Sequence, residues 1–195
     1  MNIGVDFDGV IIDFERHLKY EFEKIVFLTY GRDVVGRHSR RIRKCLDLTD
    51  EEVDKILEDH LVRITYECPF IAGAGEVLDM LRERGHELFL ITTRNDRKRK
   101  GEISSAKERL HELGFKFDGE FWCAFDKVAT CKENNITVMI DDDERNCRNL
   151  SENIIHTLYF RDKGVEKLPT GKYLVEVYNW MHIYKEILKL EEIVK

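Results

Sequence analysis

The chain is organised around its first predicted strand and the turn that follows, Asn2-Ile3-Gly4-Val5-Asp6-Phe7-Asp8-Gly9-Val10. Ile3 and Val5 predict a short buried β-strand, and two carboxylates two positions apart follow it directly. In extended backbone, side chains at i and i+2 project to the same side, so Asp6 and Asp8 are expected to crowd together. Such crowding is costly unless a cation or a shared proton relieves it. The stretch therefore predicts a cation site at a strand end, with a pair of turn or capping aspartates as the alternative.

The glycine that ends this stretch suits a tight turn that presents backbone N–H groups to an anion. A Mg²⁺ ion together with a phosphoryl group would satisfy Asp6, Asp8 and Gly9 at once. The chain contains no G-x-x-x-x-G-K-[ST] phosphate loop, which argues against a nucleoside triphosphatase.

Composition describes an ordinary globular chain. At 195 residues with 43% hydrophobic and 10% aromatic residues, it can build one domain, or one domain that carries a small insertion. The net charge of −6 does not indicate a surface for nucleic acid polymers or anionic membranes. No apolar run approaches the roughly 18 residues of a membrane span, and no signal-peptide segment opens the chain.

Cysteine usage favours a reducing compartment. The five cysteines are odd in number and lack C-x-x-C spacing, which argues against a disulfide framework and a structural zinc site. They are Cys45, Cys68, Cys123, Cys131 and Cys147. We therefore expect a soluble cytoplasmic protein, in which Cys123 and Cys131 are packed thiols rather than nucleophiles.

Apolar residues at helical spacing predict an all-helical insertion over residues 14–69. Its first helix is expected to end at Gly31, a plausible C-cap, and Thr49 with Glu52 forms the sequence pattern of a capping box that opens another helix. Beyond Pro69 the pattern changes to alternating helices and short apolar strands. The predicted strands are Glu87–Ile91, 121–125, 137–140 and 157–160, and a final helix begins near Trp180.

Strands that alternate with helices predict a parallel sheet with helices on both faces. The expected fold class is α/β, a Rossmann-like core of residues 1–13 and 70–195 with a small helical cap of residues 14–69 inserted after the first strand. In such folds, functional sites gather at the carboxyl ends of the strands. Polar residues suited to phosphoryl transfer occur at such positions: Asp6 and Asp8, Thr92, Lys127, and Asp141 with Asp142.

In this order, these segments resemble the four motifs of the haloacid dehalogenase-like phosphohydrolases. The resemblance covers residues 1–13 and about 70–160, and the helical insertion resembles that superfamily's type-one cap. The Ile91-Thr92-Thr93-Arg94 turn, the Ile140–Asp143 segment and the late Val177–Trp180 segment are similar to the cytosolic-type 5′(3′)-deoxyribonucleotidases and their bacterial relatives.

The resemblance implies a role for each catalytic residue. Asp6 would be the nucleophile, and Asp8 the general acid that protonates the leaving alcohol and later activates water. Thr92, with the N–H of Thr93, would hold the phosphoryl oxygens. Lys127 would pair with the nucleophile and the transferring phosphate.

The resemblance also implies a Mg²⁺ cofactor, held by Asp6, Asp8 through its backbone carbonyl, and Asp142, with Asp141 or Asp143 as a supporting carboxylate. Residues expected to contact phosphate or substrate are Phe7, Gly9, Thr93 and Arg94. Specificity is expected from the insertion as well, on residues such as Phe14, His17 and Arg43.

Two departures from the family pattern leave alternatives open. The lysine motif of the family has a different spacing and a following proline, so Lys132 is a rival of Lys127. The nucleotidase signature after the threonine is a small residue and a proline, whereas this chain has Thr93-Arg94-Asn95.

The expected activity is that of a Mg²⁺-dependent phosphomonoesterase that forms an aspartyl-phosphate. Its expected substrate is a small phosphorylated metabolite, preferably a deoxy- or pyrimidine nucleoside monophosphate, which would make it a 5′-nucleotidase. A phosphatase of a small sugar or polyol phosphate, and a catalytically idle phosphate-binding module, are the alternatives.

Overall fold

The computed structural model of the chain describes residues 1–32, 48–97, 99–161 and 170–194. Backbone contacts divide the chain into two compact units. The sheet unit comprises Met1–Ile12, Phe70–Arg94 and Phe115–Lys195, and the helical unit comprises Asp13–Pro69 and Asn95–Gly114. The helical unit thus joins residues 95–114 to the predicted insertion, while the domain division expected from the sequence stays a prediction.

Six strands and seven helices lie within the described residues. The strands are β1 (Asn2–Val5), β2 (Glu87–Ile91), β3 (Gly119–Phe121), β4 (Val138–Asp141), β5 (His156–Phe160) and β6 (Leu174–Val177). The helices are α1 (Phe14–Tyr30), α2 (Asp50–Glu67), α3 (Ala74–Glu83), α4 (Glu102–Glu112), α5 (Lys127–Glu133), α6 (Glu144–Glu152) and α7 (Trp180–Val194).

The six strands form one parallel sheet in the order β3-β2-β1-β4-β5-β6. This arrangement confirms the predicted Rossmann-like α/β fold. β2 and β3 lie on one side of β1, whereas β4, β5 and β6 lie on its other side, so the topological switch point falls between β1 and β4. Ligands of such sheets bind in the crevice at the carboxyl ends of the strands beside this point. The carboxyl ends of β1 and β4 are the points where Asp6 and Asp141 are found.

The buried centre of the sheet explains a glycine within β1. A Cβ atom on Gly4 would lie 2.6 Å from the Met139 sulfur and 2.8 Å from Cδ1 of Ile91, so the neighbouring strands leave no room for a side chain. All four residues of β4 are buried, as expected for a strand covered on both faces.

The helical unit has its own apolar core and confirms both predicted helix ends. α1 ends at Gly31, which adopts φ 61° and donates its N–H to the Phe27 carbonyl. The predicted capping box opens α2: the Glu52 N–H donates to Thr49 Oγ1 at 3.2 Å, and the Thr49 N–H donates to the Glu52 carboxylate at 2.9 Å. The core residues of this unit are Leu18, Phe22, Ile25, Val26, Val53, Ile56 and Ile64.

Two strands differ from the sequence prediction. The strand expected at residues 121–125 is Gly119–Phe121, and the chain turns where it was expected to continue. β6 was not predicted at all, because its Leu-Val-Glu-Val pattern places an acidic residue inward. Glu176 is buried there and pairs with Arg161 at 3.2 Å. The acidic residue interrupts the apolar pattern of the strand, and an arginine 15 positions earlier in the chain neutralises its charge.

Within the described ranges, no helix combines the length and the apolar character that crossing a membrane requires.

We expect Gly4→Ala to lower the free energy of unfolding by about 1–3 kcal/mol, the usual cost of overpacking a close-packed core. The matched control is Gly171→Ala, where an added Cβ meets no atom within 4 Å, and its cost should stay within about 0.5 kcal/mol. Urea unfolding of both variants measures the difference. Equal losses in the two variants would contradict the close packing at Gly4.

Candidate active site

The site begins where β1 ends. The Asp6 N–H donates to the Ile140 carbonyl of the neighbouring strand at 3.0 Å, so the backbone of Asp6 extends the sheet. Its carboxylate turns back and accepts the Phe7 N–H on Oδ1 at 2.8 Å. Asp6 is buried, and it lies at the switch point of the sheet.

The turn after Asp6 closes on itself and brings Asp142 against the backbone. The Gly9 N–H donates to the Ile12 carbonyl at 2.9 Å, so this donor is used within the turn. Gly9 adopts φ +74°, and a Cβ atom there would lie 1.8 Å from Oδ2 of Asp142. Only glycine therefore allows the Asp142 carboxylate to approach this closely. The expectation that Gly9 contacts phosphate stays a prediction.

Lys127, at the start of α5, joins two carboxylates. Its Nζ lies 3.0 Å from Oδ1 of Asp6 and 2.7 Å from Oδ2 of Asp141, and the side chain is buried. Lys132, the rival from sequence, is exposed one turn later and donates to Oδ1 of Asn153 at 2.7 Å. Of the two lysines, the structure therefore brings only Lys127 to the carboxylates.

Asp141 is the last residue of β4 and is fully buried. Its Oδ1 accepts the Asp143 N–H at 2.8 Å, and the side-chain amide of Asn146 lies 3.4 and 3.3 Å from its two oxygens. The Asp143 side chain caps α6 by accepting the N–H groups of Arg145 and Asn146. Asp141 is thus held on both oxygens, whereas Asp143 serves the helix.

The carboxylates of Asp6, Asp141 and Asp142 form a compact cluster, with one oxygen of each within 4.8 Å of the others. Burial raises the pKa of the Asp6 carboxyl to about 7, against the opposing charge of Lys127. Burial works to lower the pKa of the Lys127 ammonium, but the two carboxylates at its Nζ outweigh it and hold that pKa above its usual value.

This cluster has the chemistry of a divalent cation site. Together with Asp8 it brings four carboxylates to two cationic side chains, Lys127 and Arg94, and with all six groups ionised these leave two negative charges. Carboxylate oxygens are the ligands that Mg²⁺ prefers in proteins. The residues present therefore fit the predicted cofactor.

Thr92 and Thr93 follow β2. Thr92 is buried: its N–H donates to the Phe121 carbonyl at 3.0 Å, and its Oγ1 accepts the Arg94 N–H at 3.3 Å. Thr93 is exposed. The parallel pairing of β2 with β1 places this turn beside the one that carries Asp6.

Asp8 and Arg94 form an ion pair that sequence reasoning missed. Arg94 Nε donates to Oδ2 of Asp8 at 2.9 Å, and Nη2 donates to Oδ1 at 2.7 Å. The guanidinium carbon lies 4.9 Å from the centre of the Phe7 ring. The sequence directed attention to Arg94 as a substrate contact, but no local pattern predicts a pair between residues 86 positions apart.

A second cluster lies in the helical unit. Ligand atoms of His17, Glu21 and Glu67 fall within 4.8 Å of one another. Arg63 bridges the two glutamates, at 2.8 Å from Glu21, and Lys24 contacts Glu21 at 3.0 Å. The two glutamates of the cluster therefore belong to an ion-pair network, and His17 Nε2 is buried beside them without a hydrogen-bond partner in the part of the chain that the structure describes. Specificity roles for His17 and for Phe14, which packs against the apolar core, stay predictions, and Arg43 lies outside the described residues.

Two of the three cysteines of the sheet unit are buried, whereas Cys123, which was expected to be a packed thiol, is only partly buried. Cys131 is fully buried, and burial raises the pKa of its thiol to about 12, so that it stays protonated at neutral pH. Cys147 is also buried and lies 3.4 Å from the Asp141 carbonyl oxygen. Cys45 lies outside the described residues.

Solved structures share this fold over nearly the whole chain. A structure described as a "putative beta-phosphoglucomutase" from Thermotoga maritima superposes with a TM-score of 0.64 at 19% identity, over 97% of this chain and 99% of that one. A haloacid dehalogenase-superfamily hydrolase of subfamily IA from Geobacter sulfurreducens superposes with a TM-score of 0.59 at 17% identity, over 97% and 95%. The chain therefore has the fold of the haloacid dehalogenase-like hydrolases, which confirms the resemblance drawn from its motifs.

The amino-acid sequence is also similar to curated proteins with the name "putative nucleotidase". One, from Bacillus cereus, is 33% identical over 119 residues, which is 59% of this chain and 60% of the relative. Another, from Oceanobacillus iheyensis, is 30% identical over 117 residues, which is 58% of this chain and 60% of the relative. The chain thus spans 60% of the length of each of these curated relatives. No protein-family model matches the chain.

The raised pKa of Asp6 predicts a pH-dependent stability in metal-free protein. The folded-state pKa of about 7 exceeds the ordinary 3.8, so the native state retains a proton that the unfolded chain has already released. This contribution to stability is present in acid and is lost as the pH rises toward and through about 7. Asp6→Asn lacks this titration, and between about pH 5 and about pH 8 it should gain on the order of 2 kcal/mol in unfolding free energy relative to the unmodified protein.

Urea unfolding in chelator across this pH range measures the gain. Asp79→Asn, which replaces an exposed carboxylate of α3, serves as the control and should follow the unmodified protein. The same pH response in both variants would contradict an unfavourable buried charge on Asp6.

Proposed function

We propose that this protein is a phosphomonoesterase that works through an aspartyl-phosphate on Asp6. The observation that carries the proposal is the buried Lys127 ammonium between the carboxylates of Asp6 and Asp141, at the switch point of a parallel sheet. A carboxylate is a competent nucleophile toward phosphorus when positive charge and positioning offset its repulsion from the phosphoryl oxygens.

The orientation of Asp6 supports its role as nucleophile. Oδ1 is occupied by the Phe7 N–H at 2.8 Å and by Lys127 at 3.0 Å. No hydrogen bond to Oδ2 occurs among the described residues, so Oδ2 is the oxygen that we assign to the attack. The bond from Oδ2 to phosphorus forms while the bond from phosphorus to the ester oxygen breaks.

In this proposal Asp8 is the general acid of the first step and the general base of the second. It first donates a proton to the departing ester oxygen, which leaves as an alcohol. It then takes a proton from the water that attacks the aspartyl-phosphate. The bond from water oxygen to phosphorus forms while the bond from phosphorus to Oδ2 breaks, which regenerates the Asp6 carboxylate and releases inorganic phosphate. Thr92 and the N–H of Thr93 bind the phosphoryl oxygens in this proposal.

Mg²⁺ is the proposed cofactor, held by Asp6, Asp142 and the backbone carbonyl of Asp8. We assign Asp142 as the direct ligand and Asp141 as its support, because Lys127, the Asp143 N–H and Asn146 already occupy the oxygens of Asp141. When bound, the ion supplies positive charge to the phosphoryl oxygens.

The proposed substrate is a nucleoside monophosphate. The support is the name of the two curated relatives, each of which the chain covers in part. We place the activity in the cytoplasm, because the free thiols of Cys68, Cys123, Cys131 and Cys147 suit a reducing compartment.

Turnover of an aryl phosphate and of a panel of phosphorylated metabolites with Mg²⁺ tests the proposal. Asp6→Asn should lower kcat by at least ~1,000-fold, because an amide can neither attack phosphorus nor balance the metal charge. Chelator should abolish turnover, and Ca²⁺ should restore it poorly because it prefers higher and looser coordination than Mg²⁺. Full activity of Asp6→Asn, or of chelated protein, would overturn the mechanism.

The two candidate lysines provide a matched pair of variants. Lys127→Met should lower kcat by at least ~100-fold and leave Asp6 and Asp141 without their shared counterion, whereas Lys132→Met should stay within about twofold. Thermal unfolding of both variants separates a loss of chemistry from a loss of folded protein. Equal activity of the two variants would contradict the assignment of Lys127.

A further inference from the structure

Arg94 is held rigidly at both its backbone and its side chain. Its N–H donates to Oγ1 of Thr92 at 3.3 Å, and its carbonyl accepts the Cys123 N–H at 3.1 Å. The guanidinium lies 4.9 Å from the Phe7 ring centre, within the range of a cation–π contact. Only 6% of the surface of Arg94 is exposed, and its guanidinium contacts Asp8 in the turn after β1.

The contact between Arg94 and Asp8 is a two-point fork rather than a simple ion pair. Two nitrogens of one planar group meet two oxygens of one planar carboxylate, at 2.9 and 2.7 Å. Such a fork fixes the plane of the carboxylate as well as its distance, which a lysine ammonium at the same place cannot do. Asp8 itself keeps 29% of its side-chain surface exposed, so its carboxylate remains accessible.

We propose that Arg94 is the positioning residue of Asp8, and that it acts on the reaction through this carboxylate rather than through the substrate phosphate. The inference rests on the proposed phosphomonoesterase function and deepens it. Each Asp8 oxygen accepts one N–H from Arg94 and retains a second lone pair. The fork directs these lone pairs, through which Asp8 exchanges a proton with the leaving oxygen and with water.

The rival role for Arg94 is a direct contact with the phosphoryl group, as its sequence position first indicated. The two roles differ in what they do to binding. A phosphate contact contributes to the affinity for any phosphate, including inorganic phosphate. A positioning residue leaves that affinity unchanged and affects only the proton transfer.

Leaving-group dependence tests the positioning role. An aryl phosphate with a strongly acidic phenol departs with little protonation, whereas an alkyl phosphate requires a proton on its leaving oxygen. Arg94→Lys keeps the positive charge but breaks the fork. It should lower kcat/KM for an alkyl phosphate by at least ~10-fold and change kcat/KM for the aryl phosphate by less than about threefold. The larger loss is part of the roughly 10²–10⁴-fold that general acid catalysis typically provides.

Inorganic phosphate provides the second readout, which does not depend on turnover. With Mg²⁺ present, the phosphate affinity of Arg94→Lys, measured by titration calorimetry, should stay within about twofold of the unmodified protein. Phosphate binding weakened by ~10-fold, or equal losses of kcat/KM on both esters, would overturn the inference. Arg148→Lys, which changes an exposed arginine paired with Glu144, is the matched control and should alter neither readout.

The failure of the proposed function can be distinguished from the failure of this inference. If the unmodified protein hydrolyses neither ester, the phosphomonoesterase proposal is wrong. If it hydrolyses both and Arg94→Lys binds phosphate weakly, the activity stands and Arg94 is a phosphate ligand.

Discussion

The site depends on one buried interaction, the Lys127 ammonium between Asp6 and Asp141. Each of these carboxylates lies at the carboxyl end of a central strand, and the lysine opens the helix that leads into β4. Burying three charges is costly unless each meets a partner at close range. Removing the lysine would leave the Asp6 and Asp141 carboxylates without their counterion in a buried site, so this contact holds the two strand ends together.

Two glycines determine how closely the surrounding groups approach this centre. Gly4 lets β1 lie against the side chains of Met139 and Ile91, and Gly9 lets the turn meet the Asp142 carboxylate. A side chain at either position would occupy space that another atom already fills. Close packing around β1 and a crowded carboxylate cluster therefore have the same origin, the absence of a Cβ atom in the opening strand and its turn.

The two cationic side chains of the site have different surroundings and different partners. Lys127 is enclosed between carboxylates that raise its pKa, and it compensates a buried cluster. Arg94 instead lies against an aromatic ring and meets Asp8, the one carboxylate of the four whose side chain keeps substantial exposure. A planar, permanently charged group suits the task of holding a carboxylate in one orientation. Asp6, the proposed nucleophile, and Asp8, the proposed proton-transfer group, thus have separate cationic partners.

Local patterns in the sequence determined much of this protein: the strand that leads into Asp6, the glycine end of α1, the capping box of α2 and the α/β class. These features depend on side-chain spacing and on contacts within a few residues, which a sequence displays directly. Other features depend on tertiary structure. Lys127 rather than Lys132 contacts the carboxylates, and Arg94 forms two hydrogen bonds with Asp8. The buried Glu176, which pairs with Arg161, belongs to a sixth strand. Each of these pairs joins segments distant along the chain, and only the order in which the strands align brings them within hydrogen-bonding distance.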